Sequence, residues 1–301
     1  MASKIKVTFL GTSAQIPTAK RNHTAILLSY DKENILVDCG EGTQRQFRKA
    51  RLNPMKVTRL LITHWHGDHV LGIPGLLQTL AANDYKKTLY IYGPKGTKKF
   101  MKEMLNVFVF SGKINFEVVE VDEGKFFENA EFYLESKNVV HGTPTNAYIF
   151  VRKGLIRIDK KKLEKAKIET GPVLKNLKEG KDIVYKGKKY LAKNLTYREG
   201  DKKISFILDS KFDEGVSKFV AGSDLFVCES TYGNDDKEIA REYKHMTAEQ
   251  AAKIAKLSKS KKLVLTHLSS RYDLNQKKIL DEAKKIFKNV SIAKDLDSFE
   301  I

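Results

Sequence analysis

A short apolar run that ends in a dense cluster of histidines places the strongest constraint on this chain of 301 residues. The run 60–62 (Leu-Leu-Ile) has the aliphatic and β-branched character of a buried strand. His64 and His66 follow it, and residues two apart project to the same side of an extended backbone. Gly67 is expected to turn the chain, so that Asp68 and His69 converge on the same volume. Because imidazole and carboxylate groups are the ligands that zinc prefers, the sequence predicts a metal site here.

Four later polar residues occupy one kind of position, the end of an apolar strand: His141, Asp209, Glu229 and His267. Strand ends are rigid and open onto loops, which suits a preorganised site. Three of these residues extend the cluster to seven candidate ligands: His64, His66, Asp68, His69, His141, Asp209 and His267. Seven ligands exceed the need of one tetrahedral zinc and suit two metals that share a bridging carboxylate and a water.

The predicted strands form two groups, each with its own helices, which indicates a layered α/β sandwich. Early strands are expected at 6–10, 24–30 and 34–38, and late strands at 204–208, 225–228 and 263–266. Thr247 and Gln250 have the spacing of a capping box, which predicts the start of a helix that runs to about Leu257.

The basic charge of the chain is concentrated in one segment. The whole sequence has a formal net charge of +18, and residues 152–199 hold 16 Lys and Arg against 6 Asp and Glu, a net charge of +10. A polyanionic partner is one explanation of so basic a protein, and a solvated lysine-rich surface is the alternative. The concentration in a sixth of the chain favours the polyanion.

Segment 152–199 also interrupts the strand pattern. It is expected to contain a short helix capped by Asp159, a second helix from Pro172 to Gly180, and a hairpin around Gly187. Its few apolar residues indicate no independent core. The predicted organisation is therefore one main domain, residues 1–151 and 200–301, with an inserted, protruding basic arm at 152–199.

The two cysteines, Cys39 and Cys228, both lie in apolar strand-like runs. Buried free thiols of this kind are typical of a reducing compartment, so a cytoplasmic protein is expected. No apolar run approaches the roughly 18 residues of a membrane span.

The run Thr63–His69 resembles the signature of the metallo-β-lactamase superfamily, whose fold is a four-layer αββα sandwich. Further stretches resemble the ribonuclease Z family, the tRNA 3′-processing endonucleases, in order over nearly the full chain. These stretches are Asp38–Gln44, the loop Pro17–Asn22, Gly171-Pro172 within the basic insertion, Lys244–Thr247 and His267–Tyr272.

The resemblance implies a zinc-dependent endoribonuclease that removes the 3′ trailer of precursor tRNA near the discriminator base. Hydrolysis of the phosphodiester would leave a 3′-hydroxyl on the tRNA and a 5′-phosphate on the trailer. Two Zn²⁺ per chain are expected, one held by His64, His66 and His141 and the other by Asp68, His69 and His267, with Asp209 bridging. Manganese stays open as an alternative metal. The resemblance also implies a homodimer, in which the arm of one subunit holds tRNA for the other.

Three residues are assigned to proton transfer. Asp68 is expected to orient the attacking water and accept its proton. His245 would protonate the leaving 3′-oxygen, with Glu229 holding its ring, unless it is merely an exposed loop histidine. The residues expected to bind substrate are Lys20, Arg21, Gly171, Pro172 and Arg271.

Two rival functions stay open at this point. One is another hydrolase on the same scaffold, either a thioesterase or an enzyme for small phosphodiesters, which would not need the basic insertion. The other is a non-catalytic RNA-binding protein with vestigial ligands. Nucleases of the β-CASP branch are excluded, because the 57 residues between Asp209 and His267 leave no room for their inserted domain.

Overall fold

The computed structural model describes residues 4–109 and 113–301 and divides the chain into two compact units. The larger unit comprises Met1–Phe127, Leu134–Phe150 and Lys203–Ile301, and the smaller one Glu128–Tyr133 and Val151–Lys202. The described strands are β1 (Ile5–Gly11), β2 (Ala25–Tyr30), β3 (Glu33–Val37), β4 (Arg59–Leu61), β5 (Thr88–Gly93), β6 (Asn115–Glu120), β7 (Gly124–Glu128), β8 (Phe132–Val140), β9 (Pro144–Arg152), β10 (Ile156–Ile158), β11 (Ile183–Tyr185), β12 (Lys188–Tyr190), β13 (Thr196–Arg198), β14 (Lys202–Ile207), β15 (Leu225–Glu229), β16 (Leu263–Thr266), β17 (Val290–Ile292) and β18 (Ser298–Glu300).

Helices connect these strands. They are α1 (Thr43–Lys49), α2 (Gly67–Val70), α3 (Ile73–Ala82), α4 (Thr97–Val107), α5 (Lys160–Lys165), α6 (Leu174–Lys178), α7 (Ala192–Leu195), α8 (Val216–Phe219), α9 (Lys237–Glu242), α10 (Ala248–Leu257) and α11 (Gln276–Lys284). Short 3₁₀ turns lie at Pro54–Lys56, Asn234–Asp236 and Ser270–Tyr272.

Two seven-stranded sheets form the larger unit, in the orders β18-β1-β2-β3-β4-β5-β6 and β17-β16-β15-β14-β9-β8-β7. In the first sheet β3, β4, β5 and β6 are parallel neighbours, and in the second β14, β15, β16 and β17 are parallel. The C-terminal ends of parallel neighbours meet at one sheet edge. Residues that follow β14, β15 and β16 therefore arrive side by side.

Helices cover the outer face of each sheet. Apolar side chains of α1, α3 and α4 join those of the first sheet in one buried cluster, and those of α8, α10 and α11 join the second sheet in another. The two sheets also contact each other, since the Tyr148 hydroxyl on β9 donates to the Ile62 carbonyl just after β4, at 2.8 Å. The four-layer αββα arrangement implied by the family resemblance is confirmed.

Local expectations were met at α10 and missed at Gly67. The Thr247 hydroxyl accepts from the Gln250 N–H, and the Gln250 side chain accepts from the Thr247 N–H, so the predicted capping box is present. Gly67 was expected to act as a turn, but it is the first residue of helix α2 and its φ is not positive. Asp68 and His69 are therefore placed by the first turn of a helix.

The smaller unit has its own short elements. The Asp159 carboxylate caps α5 by accepting from the Lys162 N–H at 3.2 Å, and β11 and β12 form the expected hairpin around Gly187. Helix α6 begins at Leu174 rather than at Pro172. Six apolar side chains form a small buried cluster, although the sequence indicated too few for a core: Leu163, Ile168, Leu177, Ile183, Ala192 and Leu195. Lysines between them mask the pattern in the sequence.

Within the part of the chain that the structure describes, no helix has the length and apolar character needed to cross a bilayer.

Candidate metal centre

Segment Thr63–His69 carries ligands on two kinds of backbone. After β4 the chain stays extended as far as His66, which has φ −71° and ψ 150°, and α2 then begins. Gly40 permits a close approach beside this segment, because a Cβ there would lie 2.4 Å from the Asp68 carbonyl oxygen. The loop after β3 can therefore pack directly against α2.

The seven predicted ligands lie together around one carboxylate, that of Asp209. They form two groups that share it, with the ligand atoms of each group within 4.8 Å of one another: His64, His66, His141 and Asp209 in one, and Asp68, His69, His267 and Asp209 in the other. Asp209 Oδ2 lies 3.6 Å from His64 Nε2 and 3.4 Å from His69 Nε2. Asp209 Oδ1 lies 3.1 Å from His267 Nε2.

Hydrogen bonds to the Nδ1 atoms, on the side of each ring away from Asp209, fix the tautomers of His69 and His64. Asp38 Oδ2 lies 2.7 Å from His69 Nδ1, and a carboxylate only accepts, so the His69 proton is on Nδ1. The Thr63 hydroxyl donates to the same carboxylate at 2.7 Å and so accepts from His64 Nδ1 at 3.1 Å. Both rings consequently present an unprotonated Nε2 to the centre.

Hydrogen bonds at Nδ1 also fix the tautomers of His141 and His267. The Lys244 carbonyl accepts from His141 Nδ1 at 3.1 Å. The Thr231 hydroxyl donates to Glu229 Oε2 at 2.5 Å and accepts from His267 Nδ1 at 2.9 Å. Four of the five imidazoles in the centre therefore turn an Nε2 lone pair inward.

This donor set fits divalent metal ions. The Nε2 atoms of His69 and His267 lie 3.3 Å apart, and in the neutral tautomers that bind metal neither of them carries a proton. The buried Asp209 Oδ1 has no hydrogen-bond partner within the described ranges, although His267 Nε2 is beside it. Lone pairs that face each other in a buried space repel unless a cation lies between them. The residues that would hold metal are the seven named above.

Charge and burial act against each other in the centre. Burial would raise the pKa of Asp209, but the neighbouring His267 and His69 hold it well below its ordinary value. Asp68 behaves in the same way: burial opposes its charge, and a positive charge on the neighbouring His69 lowers its pKa. Both carboxylates are therefore ionised and available as ligands.

His245 forms a pair with Glu229 beside the ligands. Glu229 is fully buried, its Oε1 accepts from the Ser210 N–H at 2.7 Å, and His245 Nδ1 lies 3.1 Å from the same oxygen. Burial lowers the pKa of His245, but the Glu229 charge outweighs it and raises the pKa to about 9. Only 14% of the His245 side chain is exposed, so the alternative of an exposed loop histidine does not hold.

A cavity of about 480 Å³ opens above the centre. Several of its lining residues are metal-ligand candidates, and His245 also lines it. Other lining residues have apolar, aromatic or cationic side chains: Ile16, Tyr232, Ile239, Tyr243 and Arg271. The metal-ligand candidates are therefore accessible to a substrate.

The residues predicted to bind substrate are placed differently from one another. Arg271 lines the cavity, with Nη1 at 3.1 Å from Asp236 Oδ2 and its guanidinium 5.1 Å from the centre of the Tyr232 ring. Lys20 is exposed at the surface. Arg21 is only 3% exposed, and its Nη1 donates to the Ala293 carbonyl at 2.8 Å. Arg21 is thus committed to holding its loop and is not free to contact RNA.

Gly171 and Pro172 belong to the smaller unit. Both are exposed, and a Cβ on Gly171 would meet no described atom within 4 Å. They lie directly before Val173 and α6.

Three residues of the site were not predicted as site residues. Asp38, which orients His69, follows strand β3 and could have been found by the strand-end pattern that identified the others. Thr231 acts through a hydroxyl and Lys244 through a backbone carbonyl, roles that the residue type alone does not reveal. The backbone of Asp38 and His267 is left-handed, with φ of 56° and 57°, which turns each side chain at its strand end.

Comparison with known proteins places this geometry in a family. The chain matches the family model of the metallo-beta-lactamase superfamily over residues 19–154. Ribonuclease Z of Bacillus cereus strain G9842 is 37% identical over 303 aligned residues, covering 97% of this chain and 98% of the relative. Ribonuclease Z of Bacillus anthracis strain A0248 is 36% identical with the same coverage.

Solved structures agree. The crystal structure of human tRNase Z, short form, matches with a TM-score of 0.70 and 26% identity, covering 98% of both chains. The metallo-beta-lactamase fold protein YhfI from Bacillus subtilis matches with a TM-score of 0.73 and 19% identity, covering 99% of this chain and 100% of that one, which concerns the fold alone. With 37% identity over nearly its whole length, the chain belongs to the ribonuclease Z family of the metallo-β-lactamase superfamily.

Proposed function

We propose that this protein is a zinc-dependent endoribonuclease that removes the 3′ trailer of precursor tRNA. It hydrolyses the phosphodiester near the discriminator base, leaving a 3′-hydroxyl on the tRNA and a 5′-phosphate on the trailer. The observation that carries the proposal is a seven-ligand centre beneath an open cavity, with a His245–Glu229 pair beside it. Relatives named ribonuclease Z support the substrate class.

Two Zn²⁺ per chain are proposed, one at His64, His66 and His141, the other at Asp68, His69 and His267, with Asp209 shared. When bound, the ions supply positive charge that stabilises the phosphate and makes hydroxide available at neutral pH. Asp68 remains ionised, with its Oδ2 3.3 Å from His267 Nε2, and acts as the acceptor that orients the attacking water and takes its proton.

His245 is the proposed proton donor to the leaving 3′-oxygen. Because its Nδ1 bonds to Glu229, its Nε2 is the nitrogen left to carry the proton toward substrate. Glu229 is the positioning residue, itself fixed by the Ser210 N–H and the Thr231 hydroxyl. A single-turnover assay tests the assignment: a His245→Ala enzyme as fast as the wild type would remove His245 from the mechanism.

Segment 152–199 is proposed as the tRNA-binding arm inserted into the main domain, 1–151 and 200–301. Its net charge of +10 suits contacts to the phosphate backbone, with Gly171 and Pro172 at an exposed position. Lys20 and Arg271 are the other proposed contacts to RNA, whereas Arg21 is proposed to hold its loop in place. Shape recognition of tRNA needs no sequence reading.

A cytoplasmic homodimer completes the proposal. The end of α4 exposes an apolar surface, with Val107 74% and Val109 96% exposed, of the kind that subunit contacts cover. Sedimentation equilibrium tests the assembly, and a mass equal to one chain at micromolar concentration would contradict it.

Incubation with a 3′-extended precursor tRNA tests the function itself. End-labelling should locate one cut next to the discriminator base, with a 3′-hydroxyl on the tRNA product. Cleavage of small phosphodiesters without cleavage of this RNA would favour a small-molecule hydrolase instead.

A further inference from the structure

Part of the cavity wall has no role in the chemistry proposed above. Ile16 and Tyr243 both line the cavity of the metal centre, yet 65% of Ile16 and 58% of Tyr243 is exposed to solvent. Ile16 has no polar side-chain group, and Tyr243 offers a hydroxyl rather than a cation. Their chemistry suits a flat, uncharged group placed next to the scissile bond.

Tyr243 stands on a fixed backbone. It directly follows α9, and its N–H donates to the Ile239 carbonyl at 3.0 Å. The next residue, Lys244, has a left-handed φ of 57° and accepts from His141 Nδ1 through its carbonyl. The main chain at Tyr243 is thus anchored on both sides while its ring remains exposed, which is the arrangement of a preformed contact surface.

Ile16 is anchored as well. Its carbonyl accepts from the Ser13 hydroxyl at 2.8 Å, and the Ser13 N–H donates to the Asn22 carbonyl at 2.9 Å. Ser13 also bridges to Leu268, the residue after His267. An exposed isoleucine is therefore held in place from the loop side of the cavity, just as an exposed tyrosine is held from the α9 side.

We propose that Tyr243 and Ile16 form a subsite for one unpaired nucleobase of the RNA, and this proposal rests on the function proposed above. Unpaired bases are recognised by stacking on aromatic side chains, and stacking accepts any base because every base has a π face. Contacts to the phosphate backbone alone would favour cationic side chains at these positions. The subsite therefore adds binding affinity for RNA without a preference for one base.

The position of His245 in the same cavity indicates which nucleotide of the RNA occupies the subsite. The leaving 3′-oxygen belongs to the sugar on the 5′ side of the scissile bond, and Tyr243 lines the same cavity as His245, the proposed donor to that oxygen. The base of that same nucleotide, the last one retained in the product, is consequently the one that stacks on Tyr243.

A double-mutant cycle between enzyme and RNA tests this pairing. The enzymes are wild type, Tyr243→Ala and Tyr243→Phe, and the substrates are a 3′-extended precursor tRNA and the same RNA with an abasic residue at the last retained position. Single-turnover kcat/KM is measured for each pair. Leu274→Ala is the matched control, because Leu274 is 96% exposed and does not line the cavity.

We expect Tyr243→Ala to lower kcat/KM on the intact RNA by about 5- to 150-fold, the usual range for one stacked base. The abasic RNA should lower wild-type kcat/KM by a similar factor, and combining both changes should cost little more than either alone. Tyr243→Phe should behave like the wild type. Multiplicative losses, or no loss in Tyr243→Ala, would overturn the subsite while leaving the nuclease function intact. If wild type cuts neither RNA, the proposed function itself fails.

Discussion

The Nδ1 atom of His245 lies 3.1 Å from Oε1 of Glu229, a carboxylate with no exposed surface. The same carboxylate is held by the Ser210 N–H and the Thr231 hydroxyl, so its position does not depend on His245. Because the hydroxyl of Thr231 also accepts from His267, one small network orients both a proposed metal ligand and the proposed proton donor. The two proposed roles are thus linked structurally by the hydrogen bonds of a single threonine.

The first prediction concerns the pH dependence of cleavage. Burial lowers the pKa of His245, but the charge of Glu229 raises it to about 9, so the ring stays protonated below that pH. If the protonated ring is the acid, single-turnover cleavage falls as pH rises through this pKa. Glu229→Gln removes the charge and should move the falling limb to lower pH. Bound cations act on both enzymes alike, so the comparison isolates Glu229.

His245→Ala is the control for this pH series. This variant should cleave slowly, and its cleavage rate should not fall as the pH rises through the pKa of His245. If the fall in cleavage rate occurs at the same pH in Glu229→Gln as in the wild type, the His245–Glu229 pair does not determine the pKa of the catalytic acid.

The second prediction concerns Asp38 and metal affinity. Asp38 accepts from His69 Nδ1 and from both the N–H and the hydroxyl of Thr63. Asp38→Asn puts a donor where these bonds need an acceptor, so we expect zinc affinity to fall by about 10- to 100-fold. Titration against a chromophoric chelator measures it.

Asp84→Asn, at an exposed carboxylate, is the control for charge and should leave the affinity unchanged. Wild-type affinity in Asp38→Asn would mean that the ring of His69 is oriented by other groups.

The third prediction concerns the basic segment. Lys160, Lys161 and Lys165 are exposed on α5. Replacing all three with Gln should weaken binding of precursor tRNA. The salt dependence of binding should also become weaker. The slope of log binding constant against log salt concentration should decrease in magnitude by about 0.7 to 0.9 for each phosphate that the arm no longer neutralises. Hydrolysis of bis(p-nitrophenyl) phosphate should not change.

A triple Gln variant of Lys256, Lys259 and Lys284, all exposed in the larger unit, removes the same charge elsewhere. Equal losses of binding in the two triple variants would assign the effect to net charge rather than to the arm.

Particular residues show how far the sequence could lead. His141, Asp209 and His267 were identifiable because each follows an apolar run, and parallel strand order brings Asp209 and His267 to one edge. The basic insertion was visible from its charge. Thr247 and Gln250 fixed the start of α10 by local chemistry alone.

Other features depend on long-range interactions that no local pattern encodes. Arg21 looks like a loop cation, but its guanidinium bonds to the carbonyl of Ala293, a residue 272 positions away. The three-residue strand β18 pairs with β1 from the other end of the chain, and so short a run carries no period of its own. The partner of Asp38, His69, is likewise its neighbour only in the folded chain, so its strand-end position indicates a site residue but not which ring it orients.

The fourth prediction concerns stability. Thr247 is fully buried and caps α10, which packs against β15 and β16. Thr247→Ala removes the cap and should lower the free energy of unfolding by about 1 kcal/mol. Urea denaturation followed by circular dichroism measures it, with Lys256→Ala on the exposed side of the same helix expected to lie within about 0.5 kcal/mol of the wild type. Equal stabilities for the two variants would contradict a role for the capping box.

Counting bound metal decides whether the cluster of side chains around Asp209 holds a pair of metal ions. Plasma emission analysis of protein purified without chelator should give about two zinc, or zinc plus manganese, per chain. Asp209→Ala, which removes the shared carboxylate, should reduce the count sharply. A wild-type count near zero would rule out a two-metal centre and favour an RNA-binding protein with vestigial ligands, and a count of one would rule out Asp209 as a carboxylate shared by two ions.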